Sequence, residues 1–168
     1  MNPKPLPAEL SMRPATVEDV GIILELIREI AAYEKLSHQV TAEASTLKDS
    51  LFGPSPAAEV VLASWSGEVV GYAIYFHNFS TFEGKRGLYL EDIFIKPNHR
   101  GKGIGKAMLT HLAKLALERG CARFEWVVLD WNTPAIEFYQ GLGASVLEDW
   151  KVCRMERESI EQLASGED

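Results

Sequence analysis

The stretch Arg100-Gly101-Lys102-Gly103-Ile104-Gly105-Lys106 combines three glycines with three cations. Glycine lets a chain turn tightly and bring bare backbone N–H groups close to a ligand. An apolar series follows at helical spacing, Ile104, Met108, Leu112, Leu115 and Ala116, so the loop opens a helix. A helix N-terminus carries partial positive charge, and Arg100, Lys102 and Lys106 add full charges. Together these groups suit a pyrophosphate. A Walker loop would need glycine at position 100 and Ser or Thr at 107, where Arg100 and Ala107 stand. The dinucleotide pattern GxGxxG fails at Lys106, and it would open a domain, whereas this loop lies past the middle of the chain.

The elements that must position this loop follow from periodicity. Ser11 to Pro14 can form a short first strand. Thr16 is placed to cap a helix, with Glu18 and Asp19 in the turn where acids are favoured. Ile22, Ile23, Leu26, Ile27 and Ile30 then form one apolar stripe, ending near Tyr33-Glu34-Lys35. A weaker helix is expected from Ala42 to Leu51. Val60 to Trp65 and Val69 to Phe76 flank Ser66-Gly67 and predict a hairpin. Leu88 to Ile95 predicts the strand before the glycine loop, and Gly120 closes the helix after it. Phe124 to Leu129 predicts a buried strand, Thr133-Pro134 a short helix ending near Gly141, and Trp150 to Met155 a last strand. The expected order is β-α-α-β-β-β-α-β-α-β, a mixed α/β sheet with helices on both faces.

Composition narrows the function classes. A chain of 168 residues, 46% of them hydrophobic, suits one core. Residues 1–10 are read as a flexible tail, 11–157 as a single domain and 158–168 as an acidic tail. A net charge of −7 argues against nucleic-acid binding, which needs a basic surface. The two cysteines, Cys121 and Cys153, have no metal-ligand spacing, so no metal is expected. Met1 to Leu10 lacks the apolar run of a signal peptide, and no stretch approaches the ~20 apolar residues of a membrane helix. The expected setting is the cytoplasm, without a membrane partner.

Arg100 to Gly105 resembles the R/Q-x-x-G-x-G/A acetyl-CoA motif of the GNAT (Gcn5-related) N-acetyltransferases. Arg13-Pro14-Ala15-Thr16 is similar to the family's opening, and Leu88 to Ile95 to the strand before the loop. Asn132 to Tyr139, followed by Gly143-Ala144, resembles its late motif. The resemblance runs from Met12 to Glu156. Tyr33-Glu34, Leu88 to Asp92 and Trp131-Asn132 point within the family to the diamine branch, which includes the spermidine/spermine and thialysine enzymes. Gln140-Gly141-Leu142 lacks basic residues often found there, and the turn before Trp150 is shorter.

The resemblance implies a mostly antiparallel sheet whose bulged strand parts from its neighbour in a V-shaped gap. Backbone groups of Ile93, Phe94 and Ile95 would pair with the pantetheine arm of acetyl-CoA, and Gly101 to Lys106 would hold its pyrophosphate. Asn132, Thr133, Pro134 and Ala135 would lie along the same arm. The acceptor, an alkyl ammonium of pKa about 10.4, is neutral in only about one molecule in 2,500 at pH 7, a deprotonation cost of roughly 4.6 kcal/mol. Glu91 is the candidate to take that proton and Tyr139 the candidate to protonate the departing thiolate. Tyr33, Glu34, Glu125, Trp126 and Glu148 match amine-facing positions, where acids and aromatic faces suit a cation. The implied protein is an N-acetyltransferase for a polyamine or lysine-like amine, and by analogy a homodimer. Other acceptors stay open, among them an amino acid, an aminoglycoside and a peptide amine. So does a non-catalytic acyl-CoA-binding module.

Overall fold

A computed structural model describes residues 6–166, which group into one unit ending at Val127 and a second beginning at Val128. The outer ends of the two expected tails, 1–5 and 167–168, lie outside the described residues.

The first unit is built on a five-stranded sheet in the order β1-β2-β3-β4-β5. Strands β1 (Leu10–Pro14), β2 (Glu59–Trp65), β3 (Glu68–Ser80) and β4 (Lys85–Ile95) pair antiparallel in sequence order. β5 (Phe124–Glu125) joins β4 in parallel through Leu88↔Phe124 and Tyr89↔Glu125. Three helices complete the unit: α1 (Val20–Tyr33), α2 (Ala44–Phe52) and α3 (Ile104–Glu118).

The corner between β1 and α1 is held by a carboxylate. Asp19 accepts two hydrogen bonds from the Arg13 guanidinium, at 2.7 and 2.8 Å, and one from the Thr16 backbone N–H at 2.7 Å. The Arg13 contact, foremost, holds the Asp19 carboxyl well below its ordinary range. A short 3₁₀ turn, Val17–Asp19, precedes α1, so Thr16 caps the entry as expected.

Each face of the sheet buries alternate residues. On one face Val60, Leu62, Tyr72, Ile74 and Phe94 pack against Ile23, Leu26 and Ile30 of α1. Val61, Ala73, Leu88 and Leu90 are buried on the other, where α3 contacts β4 and Arg119, just past α3, pairs with Glu59 of β2. Ile104, Met108 and Leu112 of α3 are almost wholly buried. Fully burying one such side chain is worth about 1.5–3 kcal/mol.

One irregularity governs the site. Ile74 pairs with Asp92 but Tyr75 pairs with Leu90, so Glu91 is an extra residue in β4. In an unbroken strand Leu90 and Asp92 would share a face. The bulge puts them on opposite faces, Leu90 toward α3 and Asp92 toward α1. Beyond Tyr89, β4 has a strand partner on one side only among the described residues. The bulge implied by the family resemblance is thus present in β4, and the β4–β5 ladder ends at Tyr89↔Glu125.

The second unit contains α4 (Thr133–Gly141) and α5 (Arg157–Ser165). Two expectations are corrected in the chain's last third. The strand predicted for Phe124 to Leu129 covers only Phe124–Glu125. No strand forms at Trp150 to Met155, where Trp150, Val152 and Met155 are exposed. A strand needs a neighbour for its backbone groups, and none is paired there. Within the segment expected to be an acidic tail, α5 is supported by an Arg157–Glu161 pair one turn apart.

Candidate active site

The glycine loop is shaped as its composition requires. Gly101 and Gly103 have φ of +76° and +81°, the left-handed region that a side chain resists. Gly103 is the N-cap of α3. The first bond of the helix runs from the Ala107 N–H to the Gly103 carbonyl at 3.0 Å. The amides of Ile104, Gly105 and Lys106 therefore have no acceptor inside the helix. That cradle fits a pyrophosphate, with Lys106 exposed on the first turn.

The other two cations of the motif are braced by aromatic rings. The Arg100 guanidinium lies 4.3 Å from the centre of the Tyr33 ring and 5.6 Å from that of Phe94. Its Nε donates to the Ile95 carbonyl at 3.0 Å. Arg100 thus ties the loop to the end of α1 and to β4. Lys102 Nζ sits 4.8 Å above the Trp65 ring. Such contacts are worth about 0.5–1 kcal/mol each at exposed sites.

Along β4, Phe94 is buried, whereas Ile93 and Ile95 are half-buried on the strand whose outer edge is unpaired. Gly71 of β3 packs hard against this segment. A Cβ there would lie 2.5 Å from the Phe94 carbonyl oxygen, so only glycine permits the approach.

An acidic group sits beside the bulge. Glu91 is exposed, and Asp92 is half-buried with its Oδ2 accepting from the Tyr72 hydroxyl at 3.4 Å. Burial above all, then the charges of Glu91 and Glu34, push the Asp92 carboxyl up to about 6, while the Tyr72 bond pulls the other way. Burial also raises Glu34 at the C-cap of α1. Tyr72 is fully buried, and its phenol is pushed up by burial and then by Asp92, Glu34 and Glu91. Asp92, with the charges of Glu91 and Glu34 acting on it, leaves net negative potential to offer a cation. Asp92 and Tyr72 were not singled out from the sequence. The available signal was an aspartate inside an apolar strand, a residue type rarely buried without a purpose.

Two further candidates are placed differently. Glu125 accepts from Asn78 Nδ2 at 2.9 Å and pairs with Arg123 at 2.7 Å, so its charge is balanced. Trp126 packs edge-on against Phe124, with ring centres 5.0 Å apart. Tyr89 stacks on Phe76 at 5.0 Å, and its phenol is raised by burial and by Glu91 and Glu125.

In the second unit, Asn132 caps α4 and its carbonyl accepts from the Ala135 and Ile136 amides at 3.0 and 3.1 Å. Thr133 and Pro134 form its first turn. Tyr139 is half-buried on α4, its ring 5.5 Å from that of Phe138. The Tyr139 carbonyl accepts from the Leu142 and Ala144 amides, which fastens the end of the helix. Glu148 is exposed in the turn closed by the Trp150 N–H on the Leu147 carbonyl.

The family model described as "Acetyltransferase (GNAT) family" matches residues 24–144, a span holding the bulge, the glycine loop and α4. Over 94% of this chain and 98% of its own length, a thialysine N-epsilon-acetyltransferase of Bos taurus is 42% identical. An L-ornithine N5-acetyltransferase of Arabidopsis thaliana is 32% identical over 90% of this chain and 86% of its own. Among solved structures, an integron cassette protein of V. cholerae superposes with a TM-score of 0.76 at 26% identity, covering 94% of this chain and 99% of that one. A family model that spans most of the chain and a relative 42% identical over nearly all of it place the glycine loop and the bulged strand in one family, and this chain belongs to the GNAT family of acetyl-CoA-dependent N-acetyltransferases.

Proposed function

We propose that this protein acetylates a primary amine of a small substrate bearing a second positive charge, a polyamine or a lysine-like amine. The observation that carries this reading is the carboxylate group Glu34, Glu91 and Asp92 around Tyr72. The names of the relatives, which act on thialysine and ornithine, agree with it. When bound, acetyl-CoA supplies the thioester carbonyl. Gly101 to Lys106 would receive its pyrophosphate and Ile93 to Ile95 its pantetheine arm, with Arg100 holding the loop in place. Asn132 to Ala135 are assigned to the arm from the late motif.

Glu91 is assigned to take the ammonium proton, directly or through one water. The amine nitrogen then bonds to the acetyl carbon as the carbon–sulfur bond breaks. Tyr139 is assigned to give its hydroxyl proton to the departing sulfur, and the second proton of the nitrogen, acidic once it is bonded to the acetyl carbon, passes through water to the phenolate and restores it. The second ammonium is assigned to Glu34 and Asp92 beside Tyr33. Glu125, already paired, is given a positioning part, and Trp126 and Glu148 keep their proposed contact with the acceptor.

The test compares a diamine with a monoamine of equal length. A partly desolvated ion pair is worth more than the ~0–1 kcal/mol of an exposed one, so the diamine should have the lower KM. Its advantage should shrink at high salt, with kcat much less affected. It should also fade below about pH 6, where Asp92 takes up a proton and loses its charge. Equal kcat/KM for both amines at low and high salt would refute the charged pocket and redirect the search to other GNAT acceptors.

The cofactor assignment has its own test. Gly103→Glu places a side chain at a φ of +81° and a negative charge at the helix entry. Acetyl-CoA affinity should fall by at least tenfold, with the melting temperature lowered by only a few degrees. Calorimetry that returns wild-type affinity would take the loop out of the site.

The organisation we propose is one acetyltransferase domain over residues 11–157, acting as a homodimer in the cytoplasm without nucleic-acid or membrane partners. The net charge of −7 supports the absence of a nucleic-acid partner. No helix among the described residues is long and apolar enough to cross a membrane. Exposed Trp150, Val152 and Met155 offer apolar surface to a second copy.

A further inference from the structure

A cavity of about 580 Å³ lies in the first unit, far from the glycine loop, lined by His77, Phe79, Gly84, Lys85, Arg86 and Gly120. It sits where the β3–β4 hairpin meets the end of α3. The fifteen residues of α3 span about 22 Å at 1.5 Å each, which separates it from the loop. Six steps of β4, about 20 Å, separate Lys85 from Glu91.

The charge here opposes that of the protein as a whole. Lys85 and Arg86 form no ion pair among the described residues. Glu59, which acts on His77, is held by both terminal nitrogens of Arg119 and so is already neutralised, which leaves Glu83 in the hairpin turn as the carboxylate facing two cations. Glu125 is likewise taken by Arg123. His77 Nε2 is buried with no hydrogen-bond partner, a state that native proteins rarely leave uncorrected. Burial, then Arg119 and Arg86, lower the His77 pKa, with Glu59 opposing them. Two free cations and an imidazole therefore converge on a space of ligand size. Phe79, 62% exposed, supplies an apolar wall.

We propose that this cavity is a binding site for a small organic dianion, carrying phosphoryl or carboxylate groups on an aromatic or apolar body. Arg86 and Lys85 take the charge, Arg86 by its two-pronged donor face. Phe79 covers the apolar part. The site is separate from the acyl-transfer chemistry and leaves the glycine loop free for the co-substrate.

The probes are phenyl phosphate and phthalate, titrated into the full chain with the glycine loop saturated by acetyl-CoA. The imidazole resonances of His77 report occupancy, and His38, His99 and His111 serve as internal controls. Saturable binding is expected that moves His77 alone and raises its pKa, because an anion favours the imidazolium. Arg86→Ala and Lys85→Ala should each weaken it about tenfold or more, with acetyl transfer unchanged. A preference for one probe tells phosphoryl from carboxylate recognition. No saturable binding, an unmoved His77, or wild-type affinity in both variants would overturn the proposal. So would self-association that protects His77 without any added anion.

Discussion

Glu91→Gln is expected to lower kcat/KM for the amine by roughly 100- to 10,000-fold at neutral pH, the range of a general base. The substitution keeps shape and polarity and removes only the capacity to take a proton. Glu91 is exposed and is the extra residue of the bulge, so the fold should be indifferent to the change. The deficit should narrow as the pH approaches about 10, where the free amine loses its proton unaided. A pH-independent deficit would point to a positioning role. No deficit, with chemistry shown to limit the rate, would move the base to Asp92, whose carboxyl titrates near 6.

Tyr139→Phe should lower kcat by roughly 10- to 1,000-fold, the scale of one general acid or one hydrogen bond made in the transition state. The ring and its contact with Phe138 survive the change. The end of α4 is fastened through the Tyr139 backbone carbonyl, which is also untouched. Acetyl-CoA affinity should therefore stay near wild type. An unchanged kcat under rate-limiting chemistry would remove Tyr139 from the reaction.

What could be read from the sequence was what local chemistry decides. Thr16 with Asp19, the Ser66-Gly67 turn and the Gly103 helix entry each act within a few residues of themselves, and each is found where expected. The last third of the chain shows the opposite. Trp150 to Met155 has strand-like composition, but a strand is completed by a neighbour distant in sequence, and composition does not specify one. The pairing of β5 stops at Glu125 for the same reason.

The site divides along a similar line. The glycine loop was legible because Gly101 and Gly103 have to be glycine. The family motif pointed to Glu91 but not to its neighbour. Asp92 acquires its raised carboxyl from burial first, then from Glu91 beside it and from Glu34 at the end of α1, and neither the burial nor the distant Glu34 is visible in the local sequence. The commitment of Glu125 to Asn78 and Arg123 was hidden in the same way, because Asn78 lies on a separate strand.

The bulge also bears on how such an activity arises and disappears during evolution. Leu90 already pairs with Tyr75, and Asp92 with Ile74, so the ladder closes correctly on either side of Glu91. Loss of a single codon there would leave a regular strand, with every inward side chain still facing its former neighbours. The acid is thus an insertion into the architecture and not a replacement of one of its structural residues. A lineage could shed the proposed proton acceptor in one in-frame deletion and keep the glycine loop, the sheet and both cores. Descendants that bind acyl-CoA without turning it over lie one short genetic step from the enzyme.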